Sequence, residues 1–351
     1  MKPVTSTSIV VVCLLTAVSM VFLAGGGTRG LRAQSPVQIT SGDYRLSGPY
    51  THNNLTVFLV HGKDQTSRTF LTLQEALAQK KVRVYETKEV NELAIRNFSN
   101  ENVYVQAGDI VRGGEQDRMI SMDFIVPPKS GRMPIEAFCV ESGRWNKRGN
   151  EEPAVFSSSE NGVASKEIKL AAKSAKSQEE VWETVKVAQD KLGRNVGGSV
   201  QDRASASSLE LSVENPKVKQ TSAAYLKALS GILRNKSDVI GYVFAINGKV
   251  NSADVYASHA LFAKLWPKLI KASSVEAVAE IQKGLDHPAV TDETVKAFLA
   301  ESERATASTK DVTAHVRLVT REDDKNAFYE TQDRTQQDSF VHRNYIRKQE
   351  E

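Results

Sequence analysis

Cysteine is almost missing from this chain: 351 residues hold two. Cys13 lies in an apolar N-terminal run, so the body keeps Cys139 alone, and one thiol makes no internal disulfide. The familiar catalytic signatures are missing too. There is no Gly-x-Ser-x-Gly elbow, His-Glu-x-x-His, phosphate-binding loop or Cys-x-x-Cys. The six histidines, His52, His61, His259, His287, His315 and His342, never fall at the i,i+2 or i,i+4 spacing of a metal site. Surface or core packing is the expected role of each, and no metal or cofactor is implied. Charge of one sign is also lacking. Residues 1–33 carry Lys2, Arg29 and Arg32 and no acid, which leaves 43 basic against 42 acidic residues in the rest. A near-neutral body argues against nucleic acid as the partner, since phosphate affinity needs a basic face.

What is present is ordinary globular composition, 40% apolar and 25% charged, which excludes a disordered or disulfide-dense chain. The N-terminus reads as a secretory leader. Lys2 precedes an apolar run from Ile9 to Ala24, Gly25-Gly26-Gly27 breaks it, and Leu31-Arg32-Ala33 offers a cleavage site after Ala33. The alternative is an uncleaved anchor, although sixteen residues fall short of the about 20 that a span needs. No later run is long and apolar enough to span. An exported protein (periplasmic or extracellular) is therefore expected, with no membrane contact once the leader is removed.

The body reads as an α+β fold, an antiparallel sandwich-like or barrel-like sheet with several packed helices. One domain is expected over 34–345: strand-rich over 50–145, helix-rich over 177–305, with C-terminal strands over 313–347. Leu55–Val60 reads as a buried strand, as do Val82–Tyr85, Leu93–Phe98, Val103–Val105, Ile110–Arg112 and Ile135–Val140. Met119–Val126 reads as one strand with Ile120, Met122, Phe124 and Val126 on one face. Thr72-x-x-Glu75, Ser177-x-x-Glu180 and Ser273-x-x-Glu276 have capping-box spacing, each expected to open a helix. Gly193 is expected to stop the second, and Pro267 to kink the helix carrying Leu261, Phe262, Leu265 and Trp266. Residues 146–175 read as loop and 194–209 as a mobile loop or linker. Asn247-Gly248 between two apolar runs predicts a tight hairpin, since both tolerate positive φ.

Two clusters could carry chemistry. Residues 106–118 interleave glycines with Asp109, Arg112, Glu115, Gln116, Asp117 and Arg118. They fit either a polar pocket with guanidinium forks or a tight turn with solvated side chains. In Cys139–Trp145, Glu141, Arg144 and Trp145 could hold an anion and stack a flat ring; equally, Glu141 could pair with an arginine while Trp145 covers a sheet edge. Cys139 fits a small buried hydrophobe better than a nucleophile, with no histidine near it in sequence.

These segments carry a resemblance. Leu71–Leu77, Gly108-Asp109 with Gly113-Gly114-Glu115-Gln116-Asp117-Arg118, Cys139–Trp145, Val239–Gly248 and Leu261–Leu269 together resemble the ARG-and-rhodanese-phosphatase-superfamily-associated protein domain, over about residues 45–345. The family has no established activity. Its name reflects association with ADP-ribosylglycohydrolases and rhodanese-like phosphatases, which implies at most ADP-ribose-like or phosphate ligands. The leading expectation is an exported domain that binds a small anionic ligand through Arg112, Glu115, Gln116, Asp117, Arg118, Glu141, Arg144 and Trp145. One alternative is a hydrolase of a phosphate- or ADP-ribose-like substrate, with Glu115, Asp117 or Glu141 as base. The other is a structural envelope protein.

Overall fold

Leu55–Val60 is apolar without alternation because both faces of its strand are covered. Leu55, Val57 and Leu59 face one core, and Phe58 and Val60 face another. In the computed structural model, which describes residues 40–144, 146–149, 151–152 and 154–348, this strand lies inside an antiparallel sheet of eight. The leader expected over 1–33 lies outside the described residues.

The chain begins with β1 (Arg45–His52) and β2 (Leu55–His61), then β3 (Leu71–Thr72), α1 (Leu73–Ala78), β4 (Val82–Glu86) and β5 (Glu92–Asn97). Next come β6 (Val103–Val105), β7 (Asp109–Gly113), β8 (Arg118–Ile120), β9 (Phe124–Val126), β10 (Met133–Cys139) and β11 (Val155–Val163). The helices α2 (Lys166–Leu170), α3 (Gln178–Val196), α4 (Leu209–Glu214) and α5 (Pro216–Leu229) follow, then β12 (Val239–Ile246) and β13 (Lys249–Tyr256). Last are α6 (His259–Ala279), α7 (Asp292–Ser302), β14 (Ala307–Asp311), β15 (Val316–Glu322), β16 (Asn326–Asp333) and β17 (Ser339–Arg347).

The large sheet runs β1-β2-β12-β13-β17-β16-β15-β14, so the first two strands pair with strands from the chain's second half. Between β2 and β12 the chain builds a closed barrel, β10-β5-β4-β11-β7-β8, and a small sheet, β3-β6-β9. The α+β, barrel-bearing class read from the sequence is the fold observed. α6 packs its Leu261, Phe262, Leu265 and Trp266 into the core on one face of the large sheet. α7 covers the other with Val295, Phe298 and Leu299.

Several local expectations are met by their own chemistry. The Thr72 hydroxyl accepts from the Glu75 amide at 3.2 Å while the Glu75 carboxylate accepts from the Thr72 amide at 2.9 Å, which closes the box. Asn247 and Gly248 adopt φ of 53° and 73°.

Others are corrected. Ser273 does not open a helix: α6 runs unbroken through Pro267, and Ser273 and Ser274 bond back to the carbonyls of Leu269 and Ile270. α3 passes Gly193 and stops at Gly197, whose φ of 72° suits a helix end. Residues 146–175, read as loop, contain β11, α2 and a wider π-type turn, Ala171–Ala175. Met119–Val126 is two strands in two sheets, broken at Ser121-Met122-Asp123.

Gly241 lies where β12 meets β13. A Cβ there would come within 2.4 Å of the Asp254 carbonyl and 2.8 Å of the Val255 Cα, both backbone atoms. Gly241→Ala is expected to cost at least about 2 kcal/mol in denaturant melts, because the strand that carries Asp254 and Tyr256 has to shift.

Candidate functional site

Strands set which side chains share a face, and opposed residues of paired strands point the same way. Tyr256, His342 and Thr331 form one row across β13, β17 and β16, and Asp254, Asn344 and Tyr329 form the next. This polar patch lies on the face of the large sheet that also carries Ala327 and Ile346, against which Leu170 of α2 packs. From the barrel side, Tyr104 reaches it from β6, Gln106 follows two residues on with its backbone amide donating to the Asp109 carboxylate, Asp109 comes from the start of β7, and Asp123 from the break between β8 and β9. Lys169 comes from α2, Lys173 from the π-type turn and Lys268 from α6.

His342 is the hub. Its Nδ1 is 2.8 Å from Asp123 and its Nε2 3.0 Å from Asp254, all three side chains being buried. Both ring nitrogens face carboxylates, so both must carry protons, and the ring is an imidazolium. Burial alone would lower its pKa; Asp123 and then Asp254 reverse that and raise it. The carboxyl of Asp123 is raised by burial but lowered more by His342, Lys173 and the Thr331 hydroxyl, so it ends well below its ordinary value. Asp254 ends lowered as well, because Lys169 and His342 outweigh its burial. The imidazolium stacks on Tyr256, ring centres 4.4 Å apart and planes 12° from parallel. A second pair, Lys268 with Asp109, lies beside this triad. There burial outweighs the lysine and Asp109 is raised.

The centre is not internally complete. Both polar atoms of the Gln106 amide, and the hydroxyls of Tyr104 and Tyr256, are buried without a hydrogen-bond partner of good geometry among the described residues. Lys169 and Lys173 have no carboxylate within ion-pair distance among the described residues. The Lys173 ammonium instead rests 4.1 Å above the ring of Tyr329.

The residues singled out in the sequence assemble elsewhere, at the far end of β7. Glu141 and Arg144 form a two-pronged ion pair, both contacts 2.7 Å. Asp117 is held the same way by Arg148, at 3.0 and 3.1 Å, and also accepts from the Gly113 amide and the Ser208 hydroxyl. Arg118 is buried and bonds Gln116 and the Cys139 sulfur, with Glu86 at 3.5 Å. Arg112 is half-buried and pairs with Glu214 at 2.8 Å and Glu151 at 3.5 Å. Glu115 sits half-buried in the turn, its amide turned toward Glu86. Trp145 lies outside the described residues. The atoms that closely approach Gly113 and Gly114 belong to the barrel's own Val155, Phe156 and Glu86. Burial drives the Cys139 thiol up to about 11, against the pull of Arg118, so it stays protonated at neutral pH.

Sequence reasoning brought together the members of this arginine network that it named, but it missed Arg148. It missed most of the polar centre, whose members come from separate elements and share no spacing. Of the centre, Gln106 and Asp109 lay in the run 106–118 that the sequence singled out.

A cleft between α2, α3, α4 and α6 adds a third feature. It is lined mainly by Ile110, Val163, Ile168, Leu209 and Val275, with a cavity of about 70 Å³. Glu210 and Glu276 border it, each held up to about 7 mainly by burial.

A model for the ARG and Rhodanese-Phosphatase-superfamily-associated Protein domain matches residues 43–346, and the chain belongs to that family. Comparisons with curated proteins and with solved structures find no match.

Two predictions follow from the charges. Arg148→Ala leaves the buried Asp117 carboxylate with Arg144, 3.7 Å away, as its one remaining cation among the described residues and is expected to cost about 3 kcal/mol, much of it recovered when Asp117→Asn is added; denaturant melts of both variants check this. Glu210 and Glu276 keep protons in the folded chain that they lose near 4.5 when unfolded. Their contribution to stability therefore falls as pH rises from about 4.5 to about 7. Glu210→Gln should flatten the decline of melting temperature over that interval.

Proposed function

We propose that the protein binds a small polar anion at the centre formed by Tyr104, Gln106, Lys169, Lys173, Tyr256 and His342. The observation that carries this reading is the Gln106 amide, buried with neither polar atom partnered among the described residues. An unpaired buried amide costs free energy unless a ligand completes it. Lys169 and Lys173 supply positive charge with no carboxylate partner of their own, which sets the sign of the ligand. In the arginine network, by contrast, Arg112, Arg144 and Arg148 are already neutralised by internal carboxylates, so we assign that cluster to the framework.

Binding is favoured over hydrolysis at this centre because His342 is an imidazolium, and in the arginine network Glu141 is held low by the Arg144 fork, so neither is poised to take a proton from water. We extend the proposal to export, on the strength of the apolar run Ile9–Ala24 and the small residue Ala33. Protein recovered from the exporting cell's outer compartment should then begin at Gln34, as read by intact mass.

The test of binding is a set of thermal melts with inorganic phosphate, small carboxylates and sugar phosphates. At least one is expected to raise the melting temperature, by about 2.7 kcal/mol of stability at a hundredfold excess over Kd. Gln106→Leu should lose that response while melting no lower than wild type without ligand, because it gives up no internal hydrogen bond. No shift of the wild type by any of these anions would overturn the proposal.

A further inference from the structure

Lys173 is placed unlike the other buried cations of the centre. Lys268 is neutralised by Asp109, and His342 by two carboxylates. Lys173 projects from the π-type turn Ala171–Ala175, a widening of the helix that recurs at functional sites. Its Nζ has no hydrogen bond or ion pair among the described residues, and its only close partner there is the face of Tyr329 on β16. The residue as a whole is half-buried. Tyr329 is itself fixed, its hydroxyl 3.0 Å from that of Ser174 on the same turn.

We propose that Lys173 is a covalent anchor: its Nζ condenses with the aldehyde or ketone carbon of a small anionic ligand to form an imine. The inference rests on the binding function proposed above and names the ligand class within it, a carbonyl compound carrying a negative charge. In the condensation, the Nζ lone pair forms the N–C bond and the carbonyl oxygen takes up a proton. The carbinolamine then loses that oxygen as water, both amine hydrogens leaving with it, and a C=N bond remains. The neutral amine is the reacting form.

The surroundings raise the share of that form above an ordinary lysine's. Lys169 on α2, four residues earlier, opposes a second positive charge, and burial disfavours any charge. Asp123 from the β8–β9 break and Asp254 on β13 act the other way, but His342 and its hydrogen bonds already engage both. The balance lowers the Lys173 ammonium to about 8. Lys169 would then meet the ligand's negative group.

The test is reductive trapping of the full chain with glyoxylate, the smallest aldehyde bearing a carboxylate, and cyanoborohydride, followed by peptide mapping. One carboxymethyl group is expected on Lys173 well before any other lysine, with a rate half-maximal near pH 8. Lys173→Arg should abolish the fast phase. The wild-type map decides by itself if that variant does not fold. Labelling spread evenly over surface lysines, or a fast phase on any residue but Lys173, would overturn the inference. Melts with glycolate, which has the same carboxylate and no carbonyl, keep the two claims apart. A glycolate shift without labelling at Lys173 leaves the binding site standing and removes only the anchor; no shift and no labelling removes both.

Discussion

A buried imidazolium between two carboxylates holds this structure in its working arrangement. Asp123 comes from the break between two short strands, and Asp254 and His342 come from the large sheet. Two carboxylates sharing a dry pocket would repel, and one would take a proton. With His342 charged between them, both stay ionised, and the barrel side of the chain is fastened to the sheet by charge-assisted hydrogen bonds. Thr331 and Asn344 satisfy further lone pairs of the same carboxylates. The tyrosines and lysines of the centre are positioned around this triad.

Strand β7 links the two charged regions of the molecule. Asp109 at its start enters the polar centre, and Gly113 at its end abuts the arginine network, about 13 Å away at the rise of an extended strand. The two regions differ in their balance. In the network, Asp117 and Glu141 each have a guanidinium fork, and the backbone amides of Gly113 and Asp117 bond the same carboxylates. Such a set specifies a geometry, although the Arg118 Nε and the Gln116 amide nitrogen lack a hydrogen-bond partner among the described residues. In the centre, both polar atoms of one amide are left over, together with two lysines that form no ion pair there. That larger surplus is the reason to place the ligand there.

The sequence showed what local chemistry decides. Asn247-Gly248 gave the hairpin because few other pairs tolerate its backbone, and Thr72-x-x-Glu75 gave a helix start because its bonds close within one turn. Ser273-x-x-Glu276 misled because serine inside a helix can bond the preceding turn equally well. The break at Asp123 was hidden by the alternation of Ile120, Met122, Phe124 and Val126, which continues through it although the partner strands change. Lys169 and Lys173 lie in a stretch whose polarity suggested a loop. His342 gave no signal because its partners lie 219 and 88 residues away. Of the site, the sequence exposed the arginine network, whose residues cluster along the chain, and hid the centre, whose residues meet only through the sheet.

The charge state of His342 is the most direct measure of this account. Nitrogen-15 NMR of the full chain at a pH just above 6.5, the ordinary pKa of histidine, should show both ring nitrogens of His342 protonated. A neutral ring with a single protonated nitrogen at that pH would contradict it, since Asp123 and Asp254 could not then both be ionised around His342.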